Sequence, residues 1–191
     1  MLDVLVPVLE GEGLSTRFLQ NLGHLPRFAR IYFYSNNDVE RFGYAGYAYF
    51  RNHLKQFGNQ EYVLLLDSDE EWFKGEEVFS LLAFLQENLD WGAIGYRGPG
   101  IKVREPIKLV DLGCVLVRRE ILENIEFKFT VDDRGLPLIS DNQHFTRDVK
   151  QLGFKIGYLE KGVIVDGYQV KRKEDRLGKS ESSYSRVIEA L

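Results

Sequence analysis

Runs of apolar residues alternate along the chain with segments in which apolar side chains recur every three or four positions. The run EYVLLL (61–66) has no polar alternation, which predicts a central strand covered on both faces. Leu14, Phe18 and Leu22 are spaced four residues apart and predict a short amphipathic helix that ends at Gly23. The same criteria predict strands over 3–9, 30–35, 91–96, 109–117, 154–159 and 163–166, and helices over 42–57, 78–89, 118–125 and 141–152.

Alternating strands and helices predict an α/β fold with a mostly parallel central sheet and helices on both faces. The length of 191 residues suits one domain, which we assign to residues 1–170. Residues 171–191 are interpreted as a polar tail, a loop with room for a terminal helix. Pro7 predicts that the first strand ends there or lies near a sheet edge. Residues 131–140 are predicted to be irregular.

Composition narrows the classes of function. The net charge of −4 gives no electrostatic argument for binding nucleic acid, so no nucleic-acid partner is expected. The apolar runs are far shorter than the ~20 residues of a transmembrane helix. The single Cys114 excludes an internal disulfide and a cysteine-ligated zinc site. We therefore expect a soluble cytoplasmic protein without a transmembrane segment, with peripheral membrane association left open.

Two carboxylates directly follow the predicted central strand. Asp67 and Asp69 are two positions apart, so in an extended segment their side chains point to the same side and can share Mg²⁺ or Mn²⁺. Such a cation can neutralise a diphosphate leaving group. Ligands in open α/β sheets bind at the carboxyl ends of strands, which favours this position. The alternative is a solvated acidic turn that joins a strand to a helix.

The segment RNHLKQFGNQEYVLLLDSDEEW resembles the Arg-Asn to Asp-x-Asp stretch of GT-A-fold glycosyltransferases of the inverting family-2 type. LVDLGCVLVRREILENIEF and SDNQHFTRDVKQLGFKIGYLEKGVIVDGY resemble the second half of such domains in order and spacing. The resemblance covers residues 2–168, and in size the chain resembles the small glycosyltransferases of archaeal viruses. It implies a GT-A-like, Rossmann-like domain that transfers a sugar with inversion from a UDP- or GDP-linked nucleotide sugar. The implied cofactor is Mn²⁺ or Mg²⁺, and the implied acceptor is a glycan, a glycoprotein or a lipid-linked hydroxyl.

The resemblance also implies a donor site. It implies that Pro7 borders the base and that Asn36 and Asp38 approach the base or ribose. Arg51 matches the Arg of the family's Arg-Asn pair. Asp67 and Asp69 are implied to hold the metal and the ribose–diphosphate. For Arg51 the alternative is an exposed helix cation.

The family's catalytic base corresponds to the start of the predicted helix at 141. The family usually has a Glu-Asp pair there, whereas this chain has Asp141-Asn142. Asn142 aligns with the usual Asp and Asp141 with the usual Glu. An amide cannot act as a base near neutral pH but a carboxylate can, so either Asp141 is the base after a one-residue shift or the enzyme is impaired. The alternative is that Asp141 only caps its helix.

The chain departs from the family's pattern a second time near the end of the domain. Many family members have a histidine there that completes the metal shell, and here the position is Asp166, an oxygen ligand that suits a hard cation. The alternative is an ordinary aspartate at a strand end. His144 lies one turn after Asp141 and is a further candidate for the site, with a core or surface histidine as the alternative.

Three cationic or aromatic features remain as candidates for ligand contact. Trp72 is suited to stacking on an acceptor sugar or to core packing. The loop 97–108 and the tail segment 171–173 are rich in cations, and each is either a contact for a diphosphate or anionic acceptor or a solvated face.

Two other functions stay open at this point. One is a sugar-phosphate nucleotidyltransferase. The lack of Arg or Lys in the first turn, Leu9–Gly13, argues against this function. The other is a non-catalytic module that binds nucleotide sugars, which Asn142 favours.

Overall fold

The computed structural model describes residues 1–70, 73–96, 112–134, 136–160 and 163–166. In this part of the chain the elements are, in order, β1 (Leu2–Leu9), α1 (Thr16–Gly23), β2 (Ala29–Asn36), α2 (Asp38–Phe42), α3 (Ala45–Leu54), β3 (Tyr62–Leu66), α4 (Gly75–Glu87), β4 (Trp91–Tyr96), β5 (Cys114–Arg118), α5 (Arg119–Asn124), β6 (Thr130–Val131), β7 (Pro137–Ile139), α6 (Asp141–Gln151), β8 (Lys155–Glu160) and β9 (Val163–Asp166). Within the described residues each predicted strand or helix has a counterpart with shifted ends, except that the helix expected over 42–57 is divided in two. None of the described helices is long and apolar enough to cross a membrane.

Among the described residues, seven strands form the central sheet, in the order β2-β1-β3-β5-β4-β8-β9. β1 lies parallel to both β2 and β3, and β4 lies parallel to β8. β5 runs antiparallel to β3 and β4, and β9 runs antiparallel to β8. Five strands therefore point one way and two the other, which confirms the mostly parallel sheet. Because β5 is reversed, its first residue, Cys114, lies opposite Leu66 at the end of β3.

Helices cover both faces of the sheet, as predicted, and each face has its own core. On one face the buried side chains of α1 and α4 pack on alternate residues of the strands, including Val4 and Leu64. On the other face α3, α5 and α6 pack on the intervening residues, including Leu5 and Val63. β3 is buried along its whole length, because both faces and both edges are covered in the middle of the sheet.

Three predicted local features are corrected. The helix expected over 42–57 is two helices, α2 and α3, separated at Gly43, whose φ of 58° favours glycine. The segment 131–140 contains a short antiparallel pair, β6 and β7, instead of irregular chain. For Pro7 only one of the two alternatives is wrong: β1 does not end there but continues to Leu9 beside β2, whereas its described pairing with β3 stops at Leu5, so Pro7 does lie at a sheet edge.

The position of α3 is set by two polar contacts with the second half of the chain. The side chain of Asn52 accepts from Phe127 N and donates to Phe127 O, both at 2.8 Å. At the C-terminal end of α3, Arg119 donates to the carbonyls of Lys55 (3.0 Å) and Phe57 (3.1 Å). The Arg119 contacts satisfy carbonyls at and just beyond the end of α3, and together with the Asn52 contacts they tie α3 to the second half of the chain.

Candidate active site

The polar side chains of the site gather where β1, β2 and β3 end. Asp67 directly follows β3, and its backbone N–H donates to Gly113 O at 2.7 Å, just before β5 begins. Leu112 lies at the same edge, as does the first turn of α6, since Asn142 Oδ1 accepts from Leu112 N at 3.1 Å. The sheet edge, the chain before β5 and the start of α6 therefore form one surface.

Arg51, on α3, connects two carboxylates at this surface. Its Nη2 donates to Asp67 Oδ2 (2.8 Å) and Oδ1 (3.2 Å), and its Nη1 donates to Asp141 Oδ2. The Arg51 side chain is only 5% exposed, whereas that of Asp67 is 23% exposed and that of Asp141 8%. A planar guanidinium has enough donors in a fixed geometry to bind both carboxylates at once. The alternative of an exposed helix cation is therefore wrong for Arg51.

Asp141 is the first residue of α6 but is not its cap. The N-cap is Ser140, whose hydroxyl accepts from Gln143 N (3.3 Å) while the Gln143 side chain accepts from Ser140 N (2.8 Å). This capping box accounts for the helix start, so the cap-only alternative for Asp141 is wrong. Asp141 Oδ1 accepts from Asn142 N at 2.9 Å, and the positive end of the helix dipole favours its charge.

The side-chain amide of Asn142 binds backbone. Its Oδ1 contact with Leu112 N joins α6 to the chain before β5. Sequence reasoning did not predict this role, because the partner lies 30 residues away and nothing local marks it. The sequence does carry a signal for the start of α6: Ser140 is followed three residues later by Gln143, which is a capping pattern.

Asn36 and Asp38 shape the same edge at the end of β2. Asn36 donates through Nδ2 to Tyr34 O (3.3 Å), and its Oδ1 accepts from Asp38 N (3.2 Å). Asp38 is buried, and its Oδ2 has no hydrogen-bond partner among the described residues. Burial, followed by the nearby Asp38 carboxylate, raises the pKa of the Tyr34 phenol. Pro7, opposite Tyr34 in the strand register, is buried beside them.

The predicted metal ligands are not all brought together. Asp69 is exposed in the turn after Asp67, at the same edge. The backbone of Asp166 pairs with Gly157 on β8, and β9 is four strands away from β3. At about 4.8 Å per strand, this places the two backbones roughly 19 Å apart across the sheet. Within the described ranges no group of three or more His, Cys, Asp or Glu side chains is arranged to hold a metal.

His144 lies in a packed position between α6 and β6. Arg147 Nη2 lies 2.8 Å from Nδ1, and Thr130 Oγ1 lies 3.0 Å from Nε2. An arginine only donates, so Nδ1 accepts and Nε2 carries the proton that is donated to Thr130. Burial, followed by the charge of Arg147, lowers the pKa of His144. The structure thus places His144 as a neutral core histidine that joins α6 to β6.

The remaining sequence candidates, Trp72, the loop 97–108 and the segment 171–173, lie outside the described residues, as does the predicted tail 171–191.

Comparison with known proteins supports the fold. No family model matches the sequence, and no curated protein matches it. The structure is similar to that of a mannosyltransferase from Pyrobaculum calidifontis in complex with GDP-Man and Mn²⁺, with a TM-score of 0.60 and 15% identity over 99% of this chain and 68% of that one. It is similar to S. aureus TarS 1–349 (TM-score 0.60, 18% identity, 85% of this chain and 59% of that one). It is also similar to a CMP:2-keto-3-deoxy-manno-octonic acid synthetase complexed with CTP (TM-score 0.52, 11% identity, 100% and 99%). At these identities the likeness shows the α/β fold of the GT-A-like type.

Proposed function

We propose that this protein is a glycosyltransferase that moves a sugar from a nucleoside diphosphate sugar to an acceptor hydroxyl with inversion at the anomeric carbon. The observation that carries the proposal is the contact of Arg51 with both Asp67 and Asp141. One buried guanidinium holds a carboxylate suited to the donor phosphates beside a carboxylate suited to proton transfer. The similar structure of a mannosyltransferase complexed with GDP-Man and Mn²⁺ supports the reaction class.

The nucleoside would lie at the ends of β1 and β2. Asp38 Oδ2, buried without a partner among the described residues, is an acceptor that a ligand hydroxyl or N–H can satisfy. A buried polar atom of this kind costs stability unless something binds it. Pro7 and Asn36 supply the rigid backbone around it. We propose a UDP- or GDP-linked donor at this position.

Asp67 and Asp69 would hold the divalent cation. Mg²⁺ and Mn²⁺ prefer oxygen ligands, and Mg²⁺ is commonly bound by one or two carboxylates, water and substrate phosphates. Two carboxylates at the sheet edge therefore fit the ion without a third protein ligand, and the distant Asp166 is not required. When bound, the ion would offset the negative charge of the diphosphate leaving group.

Asp141 would act as the general base. A carboxylate offers about four lone-pair positions, and the contacts with Arg51 and Asn142 N use two of them. A remaining lone pair can take the proton of the acceptor hydroxyl. The hydroxyl oxygen then bonds to the anomeric carbon from the face opposite the diphosphate, while the bond between that carbon and the diphosphate oxygen breaks and the nucleoside diphosphate leaves. Arg51 holds the Asp141 carboxylate in a single orientation, so part of the catalytic effect is positioning.

A sugar-phosphate nucleotidyltransferase is the second candidate. The similarity to the synthetase complexed with CTP over nearly the whole of both chains favours it. The absence of Arg and Lys from Leu9–Gly13 counts against it, because the first cation after β1 is Arg17. A non-catalytic nucleotide-sugar module is the third, since Asn142 replaces an acid. The main proposal, the glycosyltransferase, also includes a cytoplasmic location. Its proposed acceptor is a glycan, a glycoprotein or a lipid-linked hydroxyl.

A thermal-shift screen tests the function. The full chain is heated with Mn²⁺ and GDP-mannose, UDP-glucose, UDP-N-acetylglucosamine or CTP, and with each nucleotide in EDTA. A ligand at a hundred times its Kd stabilises the protein by about 2.7 kcal/mol, which a melting curve resolves. We expect a Mn²⁺-dependent shift with one nucleotide sugar and its slow hydrolysis by the protein. A shift with CTP alone favours the nucleotidyltransferase, and binding without any turnover favours the module.

A further inference from the structure

Asp141 belongs to a closed series of contacts, called here the circuit, and half of this circuit lies on α3. Arg51 comes one helical turn after Tyr47 on α3, and its guanidinium carbon lies 5.8 Å from the centre of the Tyr47 ring. Arg51 in turn donates to Asp141. The Tyr47 ring therefore lies next to the group that orients the proposed base.

The other half of the circuit passes through α6 and β6. His144 lies one turn beyond Asp141 on α6 and hydrogen-bonds to Thr130. The preceding residue, Phe129, stacks against Tyr44, with ring centres 5.7 Å apart and ring planes at 12°. Tyr44 is the N-cap of α3, three residues before Tyr47, so the circuit returns to the helix on which it began.

The residues of this circuit differ sharply in exposure. Counted over the whole residue, Arg51 and Asp141 are only 4% and 5% exposed, whereas Tyr47 is 37% and Tyr44 51% exposed. The exposed Tyr47 ring thus lies against the buried Arg51 guanidinium, and the exposed Tyr44 ring comes one turn earlier, at the start of α3. Exposed aromatic faces at a polar centre are suited to a ligand that has one apolar side and several hydroxyl groups. Because the Tyr44 ring is already held by Phe129, little side-chain entropy would be lost when a ligand binds it.

We propose that Tyr44 and Tyr47, backed by Phe129, form the acceptor platform, on which a pyranose ring of the acceptor stacks with one hydroxyl directed at Asp141. This inference rests on the proposed function, because it assigns the acceptor to the side of the site where the base lies. The C–H face of a pyranose is apolar and fits an aromatic ring, while the tyrosine hydroxyls can bond to the sugar hydroxyls. The proposed nucleoside position, at Asn36 and Asp38, is separate.

Saturation-transfer NMR on the full chain tests the platform without the donor. The probes are methyl α-D-mannopyranoside and methyl β-D-glucopyranoside, with Kd values taken from titrations. We expect the wild-type protein to bind at least one of them and Tyr44→Ala or Tyr47→Ala to weaken the Kd about three- to tenfold. Tyr44→Phe keeps the ring and should retain most of the affinity. Phe79→Ala removes an equally exposed ring from α4 on the opposite face and should have no effect.

A second titration separates this inference from the proposed function. The Kd of GDP and of UDP with Mn²⁺ is measured for the wild-type protein and for Tyr44→Ala. If Tyr44→Ala weakens nucleotide binding and not pyranoside binding, the rings belong to the donor site and the platform is wrong. The platform is also overturned if neither pyranoside binds, or if both alanine variants bind as the wild-type protein does. If pyranosides bind through Tyr44 but no nucleotide sugar binds, the transferase proposal fails and the platform stands.

Discussion

Arg51 and Asp141 are 90 residues apart in the chain and form a buried ion pair that joins α3 to the first turn of α6. The same guanidinium binds Asp67 at the end of β3. The pair is therefore a structural link between the two halves of the domain, and it also fixes the relative positions of two carboxylates with different proposed roles.

Removal of Arg51 should strongly destabilise the fold. Arg51→Ala leaves the Asp141 carboxylate buried without its counter-ion, and breaking one side of a buried pair costs about 3–5 kcal/mol. The measurement is the free energy of unfolding from urea denaturation. The matched control is Lys74→Ala, which breaks the exposed pair of Lys74 with Glu77 and should change stability by less than about 1 kcal/mol. Equal effects of the two variants would show that the Arg51 pair contributes little.

Asp141→Asn tests the base. The amide keeps the size and one acceptor oxygen but loses basicity, so kcat should fall about 10²–10⁴-fold while the donor Kd changes only slightly. Assays are run well below the unfolding temperature, because the ion pair with Arg51 is lost as well. Ser140→Ala is the control: it removes the helix cap, costs about 1 kcal/mol of stability, and should leave kcat intact. An unchanged kcat in Asp141→Asn would mean that another group takes the proton.

Asp69→Ala tests the metal. Asp69 is exposed in its turn, so the variant should fold normally, yet Mn²⁺-dependent binding of GDP or UDP should be lost. Calorimetric titration with Mn²⁺ and with EDTA measures the metal-dependent part. Asp133→Ala, in the exposed turn between β6 and β7, should bind as the wild-type protein does. Full Mn²⁺-dependent binding in Asp69→Ala would contradict the assignment of this carboxylate.

Stability should fall in weak acid because of His144. Its pKa in the folded protein is below the usual 6.5, since burial and Arg147 disfavour the charged ring. As the pH drops below about 6.5, the unfolded chain takes up a proton at this histidine that the folded chain does not, so the free energy of unfolding decreases. Denaturation at pH 7.5, 6.5 and 5.5 measures the slope.

The control for this slope is a second histidine variant. His144→Gln should flatten the pH dependence between 7.5 and 5.5, whereas His24→Gln, at an exposed position, should retain it. If the two variants show the same slope, the pH dependence has another source.

The sequence alone determined most of the local structure. The unbroken apolar run of β3 indicated a strand buried on both faces, and Asp67 followed directly from its end. Helical periodicity predicted α1, α4 and α6, because the spacing of apolar side chains depends only on the geometry of one element. Even the helix start at Ser140 was present as a local pattern with Gln143.

The tertiary structure decided what meets at the site. Nothing local to α3 shows that Arg51 binds Asp141, or that Asn52 and Asn142 bind the backbone of distant segments. The reversal of β5 and the distance of Asp166 from β3 depend on strand order, which arises when the whole chain packs both faces of one sheet. Apolar patterns specify which side of an element is buried, but they do not specify its neighbour, and polar contacts between neighbours form only after that packing is settled.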